Sequence, residues 1–520
     1  MTVLEAPIET HTEVVLMPES DIASTPSAVG NVMMTGDHTV IGRLYVVSAM
    51  IFGLFTFAIG SLVAFEQANL DGVSIFSGQQ VYAAMFGLFR FSLVFLVVVP
   101  LMMGIATAVV PREVQAPSIA FPRAAAAALW TFVISGVIFV GATIFDGGIV
   151  DGADAQATEL SILALGGIVL ALCLASVCVL TTIIAQRPEG MGLGDIPIFS
   201  WSMLVAGTMW LATLAVLLGN IALVWVDLRG LGTQFWEDGS GALQILGWVT
   251  DQTAVYVFAI PVLGVFASTA LSAAGDAKPN IGMKAGIAAF GVLAFGAYAQ
   301  PVFNPNVTTQ PVFVVQSLLM VLPVLVVMGG VAVAVMGTKP RVTVSVTLAG
   351  AAVAMLGAGL LTGGLRVFGS FVGGLRELDD WNWVENLAEP FDDLAGTAVR
   401  GGLFRFVALA TLIAAVAGLY NWAPTILGRS LATPLGSLAG LALVGGTFMA
   451  AVPEVINGFL DEPDILSAGN VRDGVELLNF ISGMGLVLVG VGLLGLLLDL
   501  GLTSRRDDEI ETTETMEAVA

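Results

Sequence analysis

The stretch TTIIAQRPEGMGLGDIPIFSWSMLV, residues 181–205, changes character twice. It leaves a long apolar run, crosses a polar loop holding two prolines and three glycines, and enters a second apolar run. A loop this short between two such runs joins two helices at one face of a membrane.

The rest of the chain repeats the pattern. Of 520 residues, 57% are hydrophobic and 11% are charged, which excludes an ordinary soluble domain. Roughly 20 apolar residues cross a bilayer core. The sequence predicts an all-α polytopic membrane protein with twelve transmembrane helices. They fall at 41–66, 81–110, 124–145, 158–185, 197–227, 242–272, 281–300, 311–337, 342–365, 396–424, 433–459 and 473–500. Residues 1–40 read as a disordered tail, 41–500 as one membrane domain and 501–520 as an acidic tail. The longest non-helical segment is expected at about 366–395. No cleavable signal peptide is recognisable. Cys173 and Cys178 share the fourth span, which argues against both a disulfide and a metal site.

The net charge of −22 is unevenly distributed. Short loops on one side carry Arg112, Arg123, Arg187, Lys278, Lys284, Lys339, Arg341 and Arg429, and Arg505 and Arg506 follow the last span. Loops on the other side are acidic, as in FDGGIVDGAD and RELDDWNWVENLAEPFDD. The excess of Lys and Arg on one side places both termini in the cytoplasm of a prokaryotic cell, with the chain multi-pass in the plasma membrane. The lipid bilayer is the certain partner, and no nucleic-acid contact is expected.

One pentapeptide, GLFRF, occurs at 87–91 and again at 402–406, each time inside a span. Arg90 and Arg405 therefore lie in hydrocarbon, about nine residues or roughly 13 Å from the outer end. An unpartnered arginine at a helix centre costs about 2.5–3.5 kcal/mol on insertion scales. Either each side chain snorkels to the outer interface, or both face inward toward acids. Candidate partners are Glu454, Glu476 and Asp251.

Four stretches carry a resemblance: GDHTVIGRLY (36–45), VVPREVQAPSIAFPRAAAAALW (109–130), the loop at 181–205, and AGLYNWAPTILGR (417–429). In that order and spacing the chain resembles subunit I of the haem-copper oxidases, the cytochrome c oxidase family. The likeness covers about 36–500. It implies a low-spin haem, a high-spin haem paired with copper, and oxygen reduction coupled to proton pumping, all resting on six histidines in the membrane. This chain has two histidines, His11 and His38, and neither lies within a predicted span.

By the resemblance, Phe89 and Phe404 stand at the low-spin haem ligand positions and Gly402 at the high-spin one. The copper-ligand positions fall on Gln252, Gln300 and Pro301. Ala254 replaces the family's proton-relay glutamate, Ser118 the aspartate of the proton-uptake loop, and Val327 the lysine of the second proton path. Tyr256 retains the family tyrosine. The arginine pair expected to hold haem propionates reads acidic, at FLDEPD (459–464). Met85, Met102, Met103 and Tyr82 lie near the second span's position and read as packing residues.

The expectation is a non-catalytic paralogue of oxidase subunit I, a scaffold or accessory subunit of a respiratory membrane complex, with other oxidase subunits as partners and no haem or copper. Two alternatives stand beside it. One is a divergent terminal oxidase that holds haem and copper through other ligands. The other is an ion or proton pathway built on the buried charges.

Overall fold

The computed structural model describes residues 35–519 except 70–73, 150–154, 231–241, 276, 300–310, 377–393, 432–433 and 465–473. Eleven helices among the described residues are long and apolar enough to cross a membrane, and one shorter apolar helix accompanies them. In chain order they are α1 (His38–Gln67), α2 (Gln79–Glu113), α3 (Pro122–Asp146), α4 (Ala155–Ala185), α5 (Ile198–Leu228) and α6 (Ala254–Ala273). They continue as α7 (Ile281–Ala294), α8 (Val312–Val335), α9 (Val344–Arg376), α10 (Val399–Leu427), α11 (Pro434–Phe459) and α12 (Glu476–Val519).

Four elements differ from the sequence expectation. The sixth span is broken: Ala242–Gly247 is helical, but regular α-helix resumes only at Ile260, after a turn at Asp251–Gln252 and a 3-10 stretch. The seventh helix stops at Ala294, because Phe295 is extended and the chain passes into a single 3-10 turn at Ala297–Ala299. Helix α9 runs on to Arg376, into the segment expected to be non-helical. The last helix continues to Val519, through the stretch read as an acidic tail.

Helices α2 and α10 form the centre, and their most apolar windows are wholly buried. Helix α10 packs against α2, α6, α9 and α11, while α12 packs against α1 and α11. A central helix apolar on all sides is what a bundle of this size requires, and both sequences read that way. Six π-helical residues, Leu93–Val98, follow the first pentapeptide and divide α2 just before Pro100, whose ring cannot donate to the helical ladder.

Two helix starts carry side-chain caps. Asp37 accepts from the Thr39 amide at 2.8 Å and opens α1, and Asn280 accepts from Met283 at 3.0 Å and opens α7. Glu113 at the end of α2 accepts from the Ser200 amide at 3.0 Å, tying α2 to the first turn of α5.

Candidate functional site: a buried ion-pair cluster

The two pentapeptides meet at the centre of the bundle. Phe89, Phe91 and Phe404 are almost completely buried, and Arg90 and Arg405 are only 7% and 3% exposed. The arginines do not snorkel. Each lies over an aromatic ring of the other helix: Arg90 is 5.4 Å from the Phe404 centroid, and Arg405 is 5.9 Å from the Phe89 centroid. Arg90 also lies 4.7 Å from Phe86 on its own helix. A guanidinium over an aromatic face contributes about 0.5–2 kcal/mol, more when desolvated.

Each arginine also has its own carboxylate. Arg90 Nη2 donates to Asp464 Oδ1 at 2.9 Å. Arg405 forms an ion pair with Glu454 and donates to the Ala450 carbonyl at 3.0 Å and to the Ser482 hydroxyl. Ser482 lies 3.4 Å from Glu454 Oε2, so α10, α11 and α12 are joined at one point. Asp464 is also within 3.7 Å of Arg400, which pairs through two nitrogens with both oxygens of Asp251. The chain Asp251–Arg400–Asp464–Arg90 thus crosses from the broken sixth span to α2. Paired, multiply hydrogen-bonded charges are the tolerable form of charge in a low-dielectric interior.

The backbone fixes this arrangement. FLDEPD is strapped to the start of α10 by a bridge between Thr397 and Pro463 and by bonds from Ala398 to Glu462 (2.8 Å) and from Asp464 to Gly396 (3.2 Å). Asp461 takes a left-handed conformation at φ 60°, one that aspartate accepts more readily than most residues. Two adjacent glycines then allow close approach. A Cβ on Gly401 would lie 2.8 Å from Glu454 Oε1 and 3.0 Å from Asp464 Oδ1, and one on Gly402 would lie 2.5 Å from Val455 Cγ2.

Among the sequence candidates, Arg90, Arg405 and Glu454 come together. Asp251 joins the same network, but through Arg400. Glu476 does not join it among the described residues: it is exposed at the first turn of α12, where water and the helix N-terminus stabilise its charge. Gln252 and Tyr256 are buried beside each other near Gly363. Gln252 donates to the Gly363 carbonyl at 2.9 Å and accepts from Arg366 at 3.4 Å. Gln300 and Pro301 lie outside the described residues. Sequence reasoning missed Arg400, Arg366, Ser482 and the individual role of Asp464. The signal for Asp464 was available, since FLDEPD places acids where the resemblance expects arginines, while the arginines stand beside the ligand positions.

The side chains at the inferred ligand positions do not fit haem or copper. Phe89 and Phe404 offer only carbon, and Gly402 has no side chain and meets α11 directly. The amide nitrogen of Gln252 is engaged by a backbone carbonyl. Tyr82 accepts a hydrogen bond from Gln67 at 2.8 Å. Haem iron and copper require imidazole, thiolate, thioether or phenolate donors. Among the described residues, no three His, Cys, Asp or Glu side chains form a group able to hold a metal ion.

Residues 40–369 match the profile of the family described as cytochrome c and quinol oxidase polypeptide I, which is more than half of the chain. The chain belongs to that family. A Streptomyces avermitilis protein named cytochrome c oxidase subunit 1-beta is 26% identical over 512 residues, covering 93% of this chain and 85% of its own. A Nocardia farcinica protein, also named cytochrome c oxidase subunit 1-beta, is 24% identical over 94% of this chain and 82% of its own. A Streptomyces coelicolor protein named cytochrome c oxidase subunit 1-alpha is 29% identical over 48% of this chain and 46% of its own. The fold is also that of a haem-copper terminal oxidase dimer solved by cryo-EM, with TM-score 0.58 and 14% identity over 89% of this chain and 84% of that one. This oxidase subunit I relative is thus a multi-pass membrane protein of a family that usually binds haem and copper. The family profile match ends before α10, so the second pentapeptide lies beyond it.

Proposed function

We propose that this chain is a non-catalytic paralogue of haem-copper oxidase subunit I, serving as a scaffold or accessory subunit of a respiratory membrane complex. The observation that carries the reading is the pairing of Arg405 with Glu454 and of Arg90 with Asp464, beside phenylalanines at the low-spin haem ligand positions. In the proposal the ion pairs and aromatic rings replace the volume and the cross-helix contacts that a porphyrin would give. The bundle keeps the family's shape and with it the surfaces that other oxidase subunits recognise. The bacterial relatives support a plasma-membrane location, and the loop charges support cytoplasmic termini.

The test is affinity purification of the tagged chain from its own membranes in a mild detergent. Respiratory oxidase subunits should copurify in fixed ratio, and identification of the partners by mass spectrometry decides the matter. A chain that purifies alone while consuming oxygen with an electron donor would replace this reading with that of a divergent oxidase.

A further inference from the structure

Helices α6, α8 and α9 enclose a groove of about 470 Å³ on the membrane-facing surface. Its walls include Phe266 of α6, Val324 and Met328 of α8, and Gly350, Gly357 and Leu361 of α9, with almost no polar surface. Leu325 and Leu361 at its rim are 55% and 61% exposed, so it opens toward lipid. A Cβ on Gly350 or Gly357 would meet no atom within 4 Å, which shows that the space is open at the backbone itself. An apolar groove open to the bilayer takes an apolar occupant, because polar groups there would go unsatisfied.

The connections at one end of these three helices are basic. The connection between α8 and α9 carries Lys339 and Arg341, both exposed. The Arg341 amide donates to the Ala273 carbonyl at the end of α6, at 3.0 Å. Lys278, also exposed, follows α6 and precedes Asn280, whose side chain donates to the Gly330 carbonyl of α8 at 2.9 Å. The three cations therefore extend from the ends of the same three helices that line the groove. The described residues of 274–280 and 336–343 include no carboxylate, and Asp276 lies outside the described set. In a chain with 40 acids and 18 bases, this local excess of cations runs against the overall composition. Gly350 is six residues inside α9, about 9 Å below its start at 1.5 Å per residue. That offset separates a charged headgroup from the apolar chain attached to it.

We propose that the groove and its basic mouth form a binding site for an anionic glycerophospholipid. An acyl chain fills the space between α6, α8 and α9, and the phosphate lies among Lys278, Lys339 and Arg341. The site does not depend on whether the chain holds haem. The competing occupant is a transmembrane helix of a partner, which the glycines of α9 would also admit.

Native mass spectrometry of the detergent-purified protein tests the site, with dioleoylphosphatidylglycerol and dioleoylphosphatidylcholine as probes. The wild type should retain the anionic lipid at least about tenfold better, since each basic residue near an anionic surface contributes about fivefold. The triple substitution Lys278→Gln, Lys339→Gln and Arg341→Gln should abolish that preference. Gly357→Leu, whose Cβ meets no atom within 4 Å and whose side chain extends into the groove, should lower retention of both lipids. Equal retention of the two lipids by the wild type would overturn the proposal. So would a Gly357→Leu protein that keeps its lipid but loses a copurifying membrane subunit, because the groove would then belong to a partner helix.

Discussion

Arg90 and Phe404 face each other across the centre of the bundle, with the guanidinium carbon 5.4 Å from the ring centroid. The reciprocal pair, Arg405 over Phe89, lies at 5.9 Å. The recurrence of GLFRF follows from this exchange, because each copy supplies the ring beneath the other's cation. Neither copy would be stable alone, since a buried arginine needs both a counter-charge and a packed neighbour. Asp464 and Glu454 supply the charges.

Removal of one member of a pair should cost more than removal of both. Arg90→Leu removes the 2.9 Å partner of Asp464 and leaves it buried with Arg400 at 3.7 Å, and should destabilise the protein by about 3–5 kcal/mol. The double change Arg90→Leu with Asp464→Asn should recover a large part of that loss. A double-mutant cycle on detergent unfolding measures the coupling, and strictly additive effects would show that the pair contributes nothing.

Restoring histidines should not restore haem. Phe89→His together with Phe404→His places imidazoles at the two low-spin positions, but the paired arginines, the remaining rings and the close contact of Gly60 with the residue at 89 still occupy the space. The double variant should show no pyridine haemochrome signal above the wild type. A stoichiometric signal would mean that the porphyrin cavity persists.

The paired glycines should resist substitution. A methyl on Gly402 would lie 2.5 Å from Val455 Cγ2 and 2.9 Å from its amide nitrogen, a contact that α10 and α11 relieve only by separating. Gly402→Ala should cost about 1–3 kcal/mol, seen as a lower Tm. Gly357→Ala, whose methyl meets nothing within 4 Å, serves as the control and should leave Tm unchanged or raised.

The start of α1 should carry an acid-sensitive contribution. Partial burial acts to raise the Asp37 carboxyl, but the Thr39 amide that it caps, the neighbouring His38, the Thr39 side chain and the Val40 amide together outweigh burial and hold the group below its ordinary value of 3.8. A lowered folded-state value means that the stabilisation is fully present above the ordinary value and lost as pH falls through the lowered one. Asp37→Ala should therefore cost about 0.5–2 kcal/mol at neutral pH. The gap between variant and wild type should close as unfolding is followed below pH 4.

Much of this was legible in the sequence. Hydropathy gives the spans because lipid demands long apolar helices, and it fails where the chain breaks within the membrane, at Asp251–Gln252 and after Ala294. Those breaks depend on tertiary contacts, such as the bond of Gln252 to Gly363, which no local pattern encodes. The buried arginines were recognisable by depth alone. Their partners were only partly recognisable: Glu454 lies inside a span, whereas Asp464 is carried inward by a strap after α11, so position along the chain does not reveal its depth. Glu476 misleads for the converse reason, since its place at the edge of a span does not reveal that it faces water.

In the proposed reading, the ion-pair cluster stands in place of the redox centres. Its most direct test is the haem and copper content of the chain purified from a host that makes both abundantly, by pyridine haemochrome and elemental analysis. Neither group is expected at stoichiometric level, with the Arg90–Asp464 coupling intact in the same preparation. One or two haems per chain, with copper beside them, would contradict it.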